Sequence, residues 1–270
     1  YYNGYTDSSV YYSFSTAKSF FSILLGCAID DGYIKSVNQA VTDFVPELAK
    51  NGFKNVTVKH LLQMTSGMDY TEPGFPLGLH PQFYYTENLE KLLLKLTLKE
   101  EPGTRHQYKS GDNQLLGLML SRALGECTIS NYMQERIWEP LGMEYNGLWN
   151  TDNGDGLEKT FCCLGARAQD FAKLGLLYLQ NGKWNGRQIV SEEWVRQSTK
   201  VDTTEGSAWN YQYHWWIASK DGNAYYASGH QGQYVYINRS ENVVIVRLGK
   251  RRTLTTQEWL EIFYFIAQQL

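Results

Sequence analysis

Residues 15–33 constrain the fold more than any other stretch. Phe20, Phe21, Ile23, Leu24, Leu25, Ala28 and Ile29 make this segment apolar nearly all round. A helix without a polar face belongs in the centre of a domain, wrapped by the rest of the chain. Asp31-Gly32 supplies its stop. Its most apolar piece, Phe20 to Ile29, is interrupted by Ser22 and Gly26 and falls short of the roughly 20 residues that a membrane span needs. The 270 residues allow one large domain or two intertwined ones at about 150 residues per domain.

The remaining pattern says what wraps that helix. Residues 1–14 alternate aromatic and polar and read as strand plus turn. Residues 38–50 read as loop and short helix, and Thr57 to Leu62 as the start of a helix stopped near Ser66-Gly67. Residues 71–86 hold Pro73, Gly74, Pro76 and Pro81 and read as a long loop, which in compact domains is often functional. Leu89 to Leu98, Gln114 to Leu124, Asp170 to Leu179 and Glu192 to Gln197 read as helices, and residues 150–158 as a Gly/Asp/Asn loop. After residue 208 come four short aromatic or β-branched runs, Tyr211 to Ala218, Ala224 to Gly229, Gln233 to Asn238 and Val243 to Leu248, with hairpin punctuation at Asp221-Gly222 and Arg239 to Asn242. Gln257 to Leu270 closes the chain as an amphipathic helix. Helices in the middle followed by an antiparallel meander predict an α+β fold rather than alternating α/β.

Composition narrows the function. The formal net charge is −3 and no basic run exceeds Lys250-Arg251-Arg252, which argues against a nucleic-acid footprint. Cys27, Cys127, Cys162 and Cys163 form no C-x-x-C pair, so neither a zinc site nor a thioredoxin-type motif is indicated. Adjacent cysteines seldom bridge, and all four are read as reduced or buried. The sequence lacks G-x-S-x-G, H-E-x-x-H and a P-loop, and its five histidines show no metal-ligand spacing. No metal or cofactor is expected.

One arrangement carries chemistry: Ser15-Thr16-Ala17-Lys18, at the start of the central helix. Three residues span about 300° of helical rotation, so the Ser and Lys side chains share a face. A Ser at a helix N-terminus lies where free N–H groups and the dipole stabilise negative charge. A Lys held in an apolar helix has a desolvated amine, which lowers its pKa and makes it a base. That is a nucleophile beside a base within one turn. The plainer alternative is an N-cap serine and a snorkelling lysine.

The surrounding residues bear on that choice. Tyr12 to Phe20 resembles the active-site helix of the serine β-lactamase and penicillin-binding-protein superfamily. Val58 to Gly67 is similar to the R-H-L-L-x-x-T-S-G helix end of its class C branch. Pro102 to Ser110 resembles the P-G-x-x-x-x-Y-S-N segment that carries the second-motif tyrosine. Ala166 to Gly175 resembles the A-R-D-L-A-R-x-G helix, and Gly229-His230-Gln231-Gly232-Gln233 stands where the third motif, K-T-G or H-x-G, belongs. The resemblance covers about residues 10–250, and is greatest to class C-like esterases of the family VIII type and 6-aminohexanoate-dimer hydrolases.

The resemblance implies roles. Ser15 is the acylated nucleophile, Lys18 its proton acceptor, and Tyr108 the relay to the leaving group. The backbone N–H groups of Ser15 and Gln233 form the oxyanion hole, worth roughly 3–4 kcal/mol per donor. His230, Gly232, Tyr70, Ser110, Asn113 and Arg251 are candidate substrate contacts, Tyr70 having a surface role as its alternative and Arg251, with Arg252, a solvated basic turn. The implied fold is an antiparallel sheet flanked by helices, formed by residues 1–38 and 170–270, with a mainly helical subdomain of residues 39–169 and the active site between them. The second motif departs from the pattern in reading Tyr-Lys-Ser (108–110), without its usual Asn; Asn113 is nearby. The third carries His230 in place of Lys. Both departures favour a small ester or amide over a β-lactam or D-Ala-D-Ala peptide, the alternatives being a β-lactamase, a peptidase or a sensor that acylates without turnover. Fourteen residues precede Ser15, where the family has a helix and two strands. The sheet edge is therefore expected to be open, and covered by a preceding segment or a partner.

Overall fold

A computed structural model of the chain describes residues 4–72, 78–251 and 253–270; the loop reading at Pro73, Gly74 and Pro76, and Arg252, lie outside them. The chain opens with β1 (Tyr11–Tyr12) and α1 (Thr16–Asp30). Next come α2 (Val58–Leu62), α3 (Leu79–Tyr85), α4 (Leu89–Leu93), α5 (Ser110–Leu124), α6 (Ile129–Met133, continued by a π-turn over Gln134–Trp138), β2 (Gly165–Ala166) and α7 (Ala168–Leu179). The last third holds β3 (Lys183–Trp184), β4 (Arg187–Gln188), α8 (Glu192–Ser198), β5 (Tyr211–Gln212), β6 (Trp215–Ile217), β7 (Ala224–Gly229), β8 (Gln233–Asn238), β9 (Val243–Arg247) and α9 (Thr256–Ala267).

The apolar helix is central, as its sequence requires: every residue of α1 from Thr16 to Ala28 is buried. Phe20 stacks on Phe171 of α7 with ring centres 5.3 Å apart, and Phe21 meets the edge of Trp149 at 6.4 Å. Each buried side chain of this size contributes roughly 1.5–3 kcal/mol, so packing rather than propensity holds the helix. The late strands form one antiparallel meander in the order β5-β6-β7-β8-β9. Alternation along β8 assigns its faces: Val235 and Ile237 join the main core with α1 and α7, while Tyr234 and Tyr236 turn to the other face and pack with Phe263 of α9. The fold is thus α+β, an antiparallel sheet with helices on both faces. Strand β9 forms one edge of this sheet, with side chains only partly covered.

Four expectations need correction. Within residues 71–86, Leu79–Tyr85 is helical. Pro81 lies in its first turn, where a missing N–H is tolerated, and Phe83 anchors it against Tyr70 and Phe161. Helix α4 ends at Leu93 rather than Leu98 because the chain turns to pair there, Asp69 N–H donating to the Thr97 carbonyl at 2.9 Å. Helix α5 begins at Ser110, four residues early, because the Glu72 carboxylate accepts the Ser110 N–H. Finally, Cys162 and Cys163 form a disulfide between neighbours, while Cys27 and Cys127 stay free. Cys163 adopts a left-handed backbone, φ 68°, and the two Cα atoms are 3.7 Å apart.

Candidate active site

The site is built on the start of α1. Ser15 occupies the N-cap position yet makes no side-chain cap bond. Its Oγ instead stands 3.0 Å from Lys18 Nζ, one turn along. Lys18 does not snorkel; it is 1% exposed, and its Nζ donates to the Phe161 carbonyl at 2.8 Å. Burial drives the Lys18 pKa down to about 8, against a smaller upward pull from the Glu72 carboxylate. About a tenth of its population is then a neutral amine at pH 7 and half at about pH 8, able to accept a proton from the hydroxyl it faces.

Tyr108 closes the third side. The segment before it is tied to the end of α2: Gly103 N–H donates to the Thr65 carbonyl at 2.7 Å and Gln107 N–H to the Met64 carbonyl at 2.9 Å. Its ring stacks on Trp216 at 5.8 Å and meets the edge of Tyr211 at 6.0 Å. Lys18 Nζ lies 5.0 Å from the ring centre. Burial raises the Tyr108 pKa, and the Ser15 side chain only partly offsets this. Tyr108 therefore stays protonated at a pH where Lys18 is already losing its proton. The environments separate the two groups into a base and an acid.

The β7–β8 turn reaches the same place. Gly229 and Gln233 are the last register pair between these strands, and a Cβ on Gly229 would lie 2.3 Å from the Ser13 carbonyl and 2.8 Å from Thr16 Oγ1. This contact sets the backbone around Gln233 against the start of α1. The Gln233 side chain is taken up elsewhere, accepting the Gly249 N–H at 2.8 Å and donating to the Gly249 carbonyl at 2.5 Å. Gln231 and Gly232 both take positive φ in the turn, 63° and 81°, with the Arg247 guanidinium donating to the Gly232 carbonyl. His230 is exposed and meets Phe14 edge-on at 5.6 Å.

The other expected contacts divide. Tyr70 is 3% exposed, not a surface residue; its hydroxyl is 2.9 Å from His80 Nδ1. Ser110 is buried at the start of α5. Asn113 is buried and turned to His214, donating to its Nδ1 at 3.1 Å. Burial first, then the Lys18 charge, pull the His214 pKa down to about 3, so this ring is neutral and donates through Nε2 to the Leu61 carbonyl at 3.3 Å. Arg251 is exposed and lines a different hollow, beside β9 with Tyr5 and Tyr11.

Sequence reasoning missed three partners. The Phe161 carbonyl is a backbone group and has no residue signature. Glu72 places one carboxylate oxygen 3.1 Å from His80 Nδ1 and accepts the Ser110 N–H with the other. Burial pushes its pKa up, but His80, Lys18 and Ser110 outweigh that and hold it below the usual carboxylate range. Lys109, where the family has a small residue, is buried and donates to Ser66 Oγ at 3.4 Å, while Ser66 donates to Asp112 at 2.5 Å. Among the described residues, no group of three or more His, Cys, Asp or Glu could hold a metal ion.

Comparison with known proteins identifies the family. The family described as Beta-lactamase matches residues 1–259. The chain is 25% identical to the 6-aminohexanoate-dimer hydrolase of Paenarthrobacter ureafaciens over 277 aligned residues, covering 95% of this chain and 70% of the relative. Its fold superimposes on a Bacillus anthracis structure assigned as a 6-aminohexanoate-dimer hydrolase with a TM-score of 0.85, at 24% identity, over 100% of this chain and 75% of that one. It superimposes on a family VIII carboxylesterase with a TM-score of 0.73, at 17% identity, over 96% and 84% of the two chains. The chain belongs to the β-lactamase family and is a serine hydrolase of the β-lactamase/penicillin-binding-protein-like superfamily.

Proposed function

We propose that the protein hydrolyses a small ester or amide, of the carboxylesterase or amino-acid-oligomer amidase type, through an acyl-enzyme on Ser15. The observation that carries this is the Lys18–Ser15 contact: a buried amine with a pKa of about 8 stands 3.0 Å from a serine hydroxyl that caps nothing. In acylation, neutral Lys18 takes the Ser15 proton as Oγ bonds to the substrate carbonyl carbon. The resulting oxyanion is held by the Ser15 and Gln233 N–H groups. Tyr108 gives its proton to the departing alcohol or amine and regains one from the Lys18 ammonium. Water then attacks the acyl-enzyme, and its proton returns along the same path as Ser15 leaves.

On this reading, residues 1–38 with 170–270 supply Ser15, Lys18 and Gln233, residues 39–169 supply Tyr108, and substrate enters between them. His230 and Gly232 border one side, while Tyr70, Ser110 and Asn113 shape the other from beneath. The names of the relatives support an ester or amide, since amide and ester hydrolases both stand among them.

The test is a panel of short acyl esters, 6-aminohexanoate dimer, D-Ala peptides and a chromogenic cephalosporin, run with and without EDTA. Steady turnover of an ester or amide, unchanged by EDTA, is expected. A single equivalent released and then nothing would make the protein a sensor. Turnover of the cephalosporin or D-Ala peptide alone would make it a β-lactamase or peptidase.

A further inference from the structure

The Cys162–Cys163 disulfide lies directly against the site, and the mechanism above makes no use of it. Phe161, immediately before the pair, offers the carbonyl that accepts from Lys18 Nζ at 2.8 Å. Cys163, its second member, donates its N–H at 3.3 Å to the carbonyl of Phe14, the residue before Ser15. One residue further, the Leu164 carbonyl accepts the Ser13 N–H at 2.9 Å. Residues 161–164 are thus fastened to both the base and the approach to the nucleophile.

Both ends of the Cys163–Phe14 bond lie in the left-handed region, with φ 68° for Cys163 and 48° for Phe14. Neither is glycine, and side chains occupy that region only where surroundings hold them there. The covalent ring closed by two neighbouring cysteines is one such constraint. Opening it frees Cys163 to relax toward ordinary backbone angles. That motion would move the Phe161 carbonyl away from Lys18 and the Cys163 N–H away from Phe14. Cys162 is fully buried, with its carbonyl bound by the Trp149 indole N–H at 3.0 Å, whereas Cys163 is partly exposed. A thiol reagent would therefore meet Cys163 first.

We propose that Cys162–Cys163 is a reversible thiol-modification site: the disulfide form holds Ser15 and Lys18 in the acylating arrangement, and reduction by a thiol loosens it. This inference rests on the Ser15–Lys18 reading above. The exchange balances with a dithiol as reductant. One reductant thiolate attacks the Cys163 sulfur, breaking the Cys162–Cys163 bond and releasing the Cys162 thiolate. The second reductant thiol then displaces Cys163 from the mixed disulfide, leaving two protein thiols and a cyclic disulfide. Oxidised glutathione reverses the change and leaves as two molecules of glutathione.

The test uses the whole chain, oxidised with glutathione disulfide or reduced with dithiothreitol, with intact mass read beside the rate of acylation by a p-nitrophenyl ester, followed as p-nitrophenolate released. We expect a gain of about 2 Da on reduction together with an acylation rate at least about tenfold lower, restored by reoxidation. Cys163→Ser and Cys162→Ser should both show the low rate under either condition, and Cys127→Ser should respond as the parent does. A 2 Da change with equal acylation in both states would overturn the coupling, and so would the absence of any mass change. No acylation in either state would overturn the serine-hydrolase reading, and this inference with it.

Discussion

At the residue scale the chemistry turns on Lys18. Its amine is buried where a charge is costly; a shift from 10.5 to about 8 corresponds to roughly 3 kcal/mol against the ammonium. Between those pH values the unfolded chain binds more protons than the folded one, so this group makes stability rise with pH there. The same shift sets activity. Below about 8 the acylation rate should fall about tenfold per pH unit as the neutral amine disappears, and above it the rate should level. Lys18→Met keeps the apolar stem and removes the amine. We expect kcat/KM to drop about a thousandfold with no loss of thermal midpoint, since relief of burial offsets the roughly 1 kcal/mol bond to Phe161. Retained activity, or a flat pH profile in the parent, would show that Lys18 is not the base. Tyr108→Phe should cost as much, and the double variant little more than either, because groups on one proton path are not additive. Multiplicative losses would place the two on separate paths.

At the element scale, the sequence made the scaffold of the site legible and left its lining obscure. An apolar helix opening on Ser-x-x-Lys can only be central, and α1 is. The meander was readable because its strands are short aromatic or β-branched runs separated by turn residues, and β7, β8 and β9 pair antiparallel in chain order. Helix α3 was hidden by Pro81, which reads as a breaker unless its first-turn position is known. The start of α5 was hidden because its cap is a carboxylate 38 residues away. The Cys162–Cys163 bond was hidden because the left-handed turn that permits it has no glycine to announce it. The approach of β7 to α1 gives a prediction. Gly229→Ala would place a carbon 2.3 Å from the Ser13 carbonyl and must push the strand off the start of α1. A displacement near 1 Å is worth about a hundredfold in rate, with about 1–3 kcal/mol of stability lost to overpacking. Gly154→Ala, with open space at its Cβ, should change neither. Equal behaviour of the two variants would mean that the β7–β8 turn does not position the nucleophile.

Over the whole molecule, the site draws residues 15, 18, 72, 108, 161 and 233 to one place through contacts that sequence distance conceals. Motif order pointed to Ser15, Lys18, Tyr108 and Gln233 as one set. It could not show Glu72 facing Lys18, or the Phe161 carbonyl completing its hydrogen bonds, because these follow from how the helical part closes over α1. The central claim is that this closure activates one serine among all those in the chain. The most direct measurement is covalent labelling with a fluorophosphonate, followed by peptide mass spectrometry, on the parent and on Lys18→Met. One adduct is expected, on Ser15, forming faster as pH rises toward 8 and nearly lost in Lys18→Met. An adduct on another serine, or undiminished labelling of Ser15 without Lys18, would contradict it.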